Sequence, residues 1–217
     1  MHADISQRVL IETAAAPWLA TADGEGGCKP LDSLDAGRRT TSLVRAAAGA
    51  VFARPDAALG EEMLVLDGSL ADAHGSYAAG TYLRRPPGVA AELRSAAGCV
   101  LFVKRYPFAA GDTATVRLDT ASASWLPGLV AGLTVLPLHQ HGVEHAALVR
   151  WQPGTVFQSH THFGGEEILV LDGVFEDEFG AYPAGSWLRS PHLSRHRPFS
   201  RAGCTIYVRT GHLLDPA

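Results

Sequence analysis

Two histidines and a glutamate in the second half of this chain have the types and spacing that a single metal ion could use. They lie in the stretch Gly154 to Gly173. His160 and His162 stand two residues apart, so in an extended segment both imidazoles leave the same face as parallel nitrogen donors. Gly164 and Gly165 supply a turn without a side-chain penalty, and the run from Glu166 to Leu171 reads as a returning strand that carries a carboxylate back to them. Asp172-Gly173 is expected to close that strand as a hairpin turn. Of the adjacent acids, Glu166 is the expected ligand in preference to Glu167, because Glu166, Ile168 and Val170 share the face that suits a barrel interior.

The elements that position these residues follow from an internal repeat. At a constant shift of 105 residues, Gly60-Glu61-Glu62 falls on Gly165-Glu166-Glu167, and Leu64-Val65-Leu66-Asp67-Gly68 on Leu169-Val170-Leu171-Asp172-Gly173. Tyr77 meets Tyr182, Leu83-Arg84 meets Leu188-Arg189, and Gly98-Cys99 meets Gly203-Cys204. Two copies result, 1–107 and 108–217, with 107–124 as the connection, where Ala114 to Leu118 alternates like a strand. In each copy the apolar runs are short, rich in Val, Leu and aromatics, and bounded by Gly, Pro and Asp, as in antiparallel strands. The fold class is therefore all-β, two tandem jelly-roll barrels. A single helical turn is expected near Ile5 to Glu12.

The pattern of Gly154, His160, His162, Glu166 and Gly173 resembles the first signature motif of the cupin superfamily, whose barrel is a double-stranded β-helix. The resemblance implies a fourth ligand on a later strand, and His196 is the residue that matches it. His192-Leu193 and the residue after His196 depart from the second motif. Three neutral imidazoles and one carboxylate would leave a divalent ion with a net charge of about +1 and open coordination positions. Zinc, iron, manganese and nickel all accept such a set. The wording from Gly164 to Arg209 is similar to the cupin-like domain at the C-terminus of ChrR anti-sigma factors and to acetylacetone-cleaving dioxygenases. That similarity implies a metal-dependent dioxygenase acting on a small oxygenated or dicarbonyl compound, or else a zinc-binding sensory module without catalysis. The helical zinc domain of the full regulators, built on a His and paired cysteines, has no counterpart in the sequence. In the first copy Pro55, Ala57 and Ala91 stand where the second has His160, His162 and His196, and Glu61 alone persists, so that barrel is expected to be metal-free and structural. Residues present in both copies, such as Tyr77 and Tyr182, read as scaffold.

Other features narrow the function further. A net charge of −4 and an isoelectric point near 6.2, with scattered Lys and Arg, give no basic stripe for nucleic acid, so a small-molecule ligand is the expectation. The start of the sequence lacks a cationic leader and no apolar run is long enough to span a bilayer, which implies a soluble cytoplasmic protein. Three cysteines form no disulfide framework; Cys99 and Cys204 read as small buried hydrophobes, whereas Cys28 follows two glycines and is the candidate for reactivity. Barrel edges favour a homodimer. His192 and Glu167 are candidates for supporting the ligands, and Phe157, Trp187 and Tyr207 for facing a substrate. His139, His141 and His145 read as a solvated edge strand or loop.

Overall fold

A computed structural model describes residues 4–21, 26–52, 58–89, 92–106 and 108–214. Among them the only helical element is a short 3-10 turn at Asp35–Gly37; the rest is antiparallel strand and loop. The chain forms two compact units, one of Pro17–Ala123 and the other of Asp4–Ala16 with Ser124–Ala217. Each is a jelly-roll barrel, as the repeat implies. No helix of the described residues is long and apolar enough to cross a membrane.

Compact units and sequence copies are built from different residues at their edges. In the second unit Val9–Glu12 pairs with Ser186–Ser190, from Val9 opposite Arg189 to Glu12 opposite Ser186. In the first, Val116–Asp119 pairs with Thr81–Arg85. The helical turn expected at Ile5 to Glu12 is therefore a strand, with only a tight turn at residues 5–6 before it. The open edge of Ser186–Ser190 offers unpaired amides and carbonyls that a lone helical turn would leave unsatisfied.

The large sheet of the second unit runs in the order Val9–Glu12, Ser186–Ser190, Glu166–Asp177, Cys204–Thr210, Glu144–Trp151, Leu133–His141, Leu126–Pro127. Its key member is the strand Glu166–Asp177, which belongs to both layers of the barrel. Residues 166–173 pair with Cys204–Thr210, while residues 174–177 turn to pair with Gly180–Pro183. Asp172-Gly173 is thus no hairpin turn: the register slips between Val170 and Asp172, and the strand continues through a bulge. Gly173 adopts φ 71°, and a Cβ there would lie 2.1 Å from the Gly203 carbonyl oxygen, so the bend needs glycine. The strand Gly60–Asp72 of the first unit has the same device at Gly68. A dipeptide typical of hairpin turns here redirects a strand between layers in both units.

Side-chain alternation then sorts the two faces of Glu166–Asp177. Ile168, Val170 and Phe175 join Leu133, Trp151, Tyr182, Leu188, Cys204 and Ile206 in the barrel core. Glu167 and Leu169 point the other way, among Trp187, Arg189 and Tyr207. All three cysteines are free; burial raises the Cys99 thiol and pushes Cys204 up to about 11.

Candidate metal centre

Four side chains converge at one end of the second barrel. His160 and His196 are direct partners in a two-residue antiparallel ladder, His160–Thr161 with Arg195–His196. His162 follows across the strand, and Glu166 opens the long strand after the Gly164-Gly165 turn. That turn needs both glycines: they take φ 75° and 73°, and a Cβ on Gly164 would lie 2.6 Å from the Gly211 Cα. The loop after Ser190 clasps it, since the His162 amide donates to the Ser194 carbonyl, the Leu193 amide to the His162 carbonyl, and the Gly164 amide to His192 Nδ1 at 2.8 Å. His192 is itself exposed and supports the turn without joining the cluster.

One donor atom from each of His160, His162, Glu166 and His196 lies within 4.8 Å of the other three, and this is the single such group of three or more potential ligands among the described residues. His162 Nε2 and His196 Nε2 stand 3.4 and 3.6 Å from Glu166 Oε2. Neither contact has the geometry of a hydrogen bond, and all three atoms are buried without a hydrogen-bond partner. Buried polar atoms left unmet carry a free-energy penalty that a central cation would remove. His160 Nδ1 meets the Gln158 carbonyl at 3.0 Å and His196 Nδ1 meets Asp177 Oδ2 at 3.4 Å, which leaves Nε2 of both rings as the donor toward the centre. The residues fit a divalent ion.

The electrostatics agree. Burial pushes the His162 imidazole down to about 3, with the nearby His196 and His160 adding to the effect. It pushes the Glu166 carboxyl up to about 7, although His196 opposes it. His160 is lowered, chiefly by burial. For His196 burial works downward too, but the Asp177 hydrogen bond and the Glu166 charge outweigh it and raise the ring. A pocket that disfavours charge on its own acid and on two of its imidazoles is suited to a cation supplied from outside.

Asp177 is the functional residue that sequence reasoning missed. It accepts from the Tyr182 hydroxyl at 2.7 Å and from the Phe179 amide at 2.8 Å, and Arg8 reaches it at 3.1 Å. The repeat carried a signal, because Asp72 and Tyr77 occupy the same places in the first copy and make the same hydrogen bond. Other candidates are placed elsewhere. Trp187 and Tyr207 are fully buried on the far face of the sheet and do not face the cluster; the side-chain period of two puts them beside Glu167, opposite to Glu166. Glu167 accepts from Trp187 Nε1 at 3.0 Å and meets His212 Nε2 at 3.2 Å. His139, His141 and His145 lie on the hairpin of Leu133–His141 and Glu144–Trp151, outside the cluster.

Phe157 lies against His160, with ring centres 5.0 Å apart, and borders a cavity of about 170 Å³. His160, Glu166 and His196 form its polar end, and the walls include Leu133, Val149, Trp151, Phe175, Ile206 and Val208. Among the described residues no lysine or arginine lines it.

The first unit shows what replaces such a centre. Glu61 stands at the place of Glu166, but Arg85 and Arg105 stand where the second copy has Ser190 and Thr210, and both guanidiniums bind it, Arg105 Nε at 2.7 Å. Burial alone would raise the Glu61 carboxyl, but Arg105 and Arg85 together hold it below the usual range. The buried acid is thus paired with two cations of its own unit. Pro55, Ala57 and Ala91 lie outside the described residues.

Comparisons with known proteins agree on the fold. The family profile described as the ChrR Cupin-like domain matches residues 6–109 and again 113–214. No curated protein matches the chain. Among solved structures, a protein of Pseudomonas aeruginosa described as glyoxylate-induced superposes with a TM-score of 0.77 at 14% identity, over 97% of this chain and 91% of that one. A candidate dioxygenase of Nostoc punctiforme gives 0.74 at 15% identity, over 98% and 85%. The oxalate decarboxylase of Lactobacillus farciminis, solved as a formate complex, gives 0.65 at 13%, over 93% and 85%. At these identities the shared property is the fold.

Proposed function

The chain belongs to the ChrR cupin-like family in both of its halves, and from that premise we propose that its second barrel is a metal-dependent enzyme of the dioxygenase kind, acting on a small dicarbonyl compound. His160, His162, Glu166 and His196 would hold one divalent ion, zinc, iron, manganese or nickel. The bound ion would supply Lewis-acid polarisation of a chelating oxygen pair and, if iron, a site for dioxygen chemistry.

The observation that carries this reading is the pairing of the ligand cluster with an apolar cavity. At about 170 Å³ the cavity lies below the usual range of drug-sized pockets, roughly 300–1,000 Å³, which favours a small ligand. A centre of net charge about +1 in apolar walls is neutralised by a mono-anionic chelate such as the enolate of a β-dicarbonyl. A dianion such as oxalate would bring a second charge that no lysine or arginine of the lining could meet. Phe157 and Trp151 would pack on the substituents of the bound compound and keep water from it.

A second reading draws on the family itself: a zinc-loaded barrel that senses a ligand and acts on a partner protein without turnover. Metal analysis of protein purified without added metal, joined to oxygen uptake on a panel of dicarbonyls, separates the two. Bound iron with uptake supports the enzyme; tightly held zinc with no turnover on any compound removes it in favour of the sensor.

A further inference from the structure

The metal centre of the second unit draws on a residue from the far end of the sequence. Arg8 immediately precedes the strand Val9–Glu12, and 169 residues separate it from Asp177. Its Nη2 donates to the Tyr182 hydroxyl at 2.6 Å and to Asp177 Oδ2 at 3.1 Å, while its guanidinium lies 5.0 Å from the Phe179 ring centre. Tyr182 donates in turn to Asp177 Oδ1. Both carboxylate oxygens are thereby engaged, and the oxygen that Arg8 grips is the one that faces His196 Nδ1 at 3.4 Å.

An imidazole whose Nδ1–H is held by a fixed carboxylate is locked in one tautomer, with its Nε2 lone pair aimed at the ion. We propose that Arg8 is a positioning residue for the metal centre: through Asp177 it fixes the His196 ring, so the copy that has lost its own ligands supplies part of its twin's site. The proposal rests on the metal reading of the His160, His162, Glu166 and His196 cluster.

The first unit provides an internal control. There Arg117 donates to the Tyr77 hydroxyl at 2.9 Å and lies 3.6 Å from Asp72 Oδ2, so the same three residue types form the same triangle. In the sequence, however, Ala91 stands in the place of His196. A purely structural duty would be common to Arg8 and Arg117, whereas a duty toward the metal belongs to Arg8 alone.

The test uses full-length protein and the variants R8A, R8K and R117A. Zinc affinity is measured against a chromophoric chelator, and ligand geometry is read from the visible absorption of the cobalt-substituted protein. R8A is expected to bind zinc about tenfold more weakly and to shift the cobalt bands, since loss of an outer partner typically weakens metal binding about 10–100-fold. R8K, which keeps the charge but not the planar fork, recovers part of the affinity. R117A keeps wild-type affinity while losing melting temperature to a similar extent as R8A. Zinc affinity and cobalt bands in R8A that match those of R117A overturn the proposal. If R8A does not fold, Y182F against Y77F carries the same comparison with the same two outcomes. Failure of the wild-type protein to bind zinc or cobalt would instead overturn the metal reading itself.

Discussion

The substitution E166Q separates a metal ligand from an ordinary buried acid, because it should stabilise the metal-stripped protein and weaken the stabilisation by metal. Glu166 is 7% exposed and its carboxyl is pushed up to about 7 from an ordinary 4.5. A raised acid loses stability as pH climbs: below about 4.5 both folded and unfolded states are protonated, and between there and about 7 only the unfolded state gives up its proton. Above about 7 the full penalty holds, about 3 kcal/mol at roughly 1.4 kcal/mol per pH unit. Metal-stripped E166Q should therefore be more stable than stripped wild type at pH 8, by up to about 3 kcal/mol, and the advantage should vanish near pH 4. Zinc works against that advantage. At a free concentration of about 100 times its dissociation constant it adds about 2.7 kcal/mol to wild type, or about 5–10 °C in melting temperature for a chain of this length. E166Q should lose most of that shift. Urea unfolding at pH 4 and 8, with chelator and with zinc, reads both effects. A variant less stable than wild type when stripped, yet equally stabilised by zinc, would refute the assignment of Glu166 as a ligand.

Other expectations concern the rest of the fold and the cavity. R85A removes one of two guanidiniums from buried Glu61, leaving Arg105 to pair with it, and should cost about 1.5–3 kcal/mol, the loss of a buried charged hydrogen bond. In the wild type the lowered Glu61 carboxyl contributes stability above its ordinary pKa that is lost on acidification through its lowered one; R85A should weaken that acid dependence in urea titrations. G173A forces a Cβ against the Gly203 carbonyl oxygen at φ 71°, and should destabilise by at least about 2 kcal/mol in the same assay. V208F intrudes from its wall into a cavity of about 170 Å³. It should leave the metal content equal to that of the wild type by elemental analysis while abolishing the proposed oxygen uptake on dicarbonyls.

Much of the site could be read from residue order because its geometry is local. His160, His162 and Glu166 lie within seven residues of one another, and strand alternation with a glycine turn fixes how they face each other. Comparison of the two copies exposed the loss of ligands in the first and set the shared tyrosines aside as scaffold. Local rules failed where one signal serves two geometries. Asp172-Gly173 is a turn sequence in isolation and a bulge within a strand that changes layers, because partners on both sides keep the strand paired. Trp187 and Tyr207 are aromatic and near the ligands in sequence, yet the register of their strands turns them to the opposite face.

Composition and repetition within the chain determined the class of the fold, the existence of two copies and three candidate ligands, His160, His162 and Glu166, since each depends on residue type and short-range spacing; His196 followed from the cupin resemblance. Tertiary structure decided what required distant segments to meet. It set Arg8 on Asp177 behind His196, Arg85 and Arg105 on Glu61, and an apolar cavity before the ligand cluster. Such pairings carry no periodicity along the chain; they exist only after loop closure has brought strands from both ends of the sequence into one barrel.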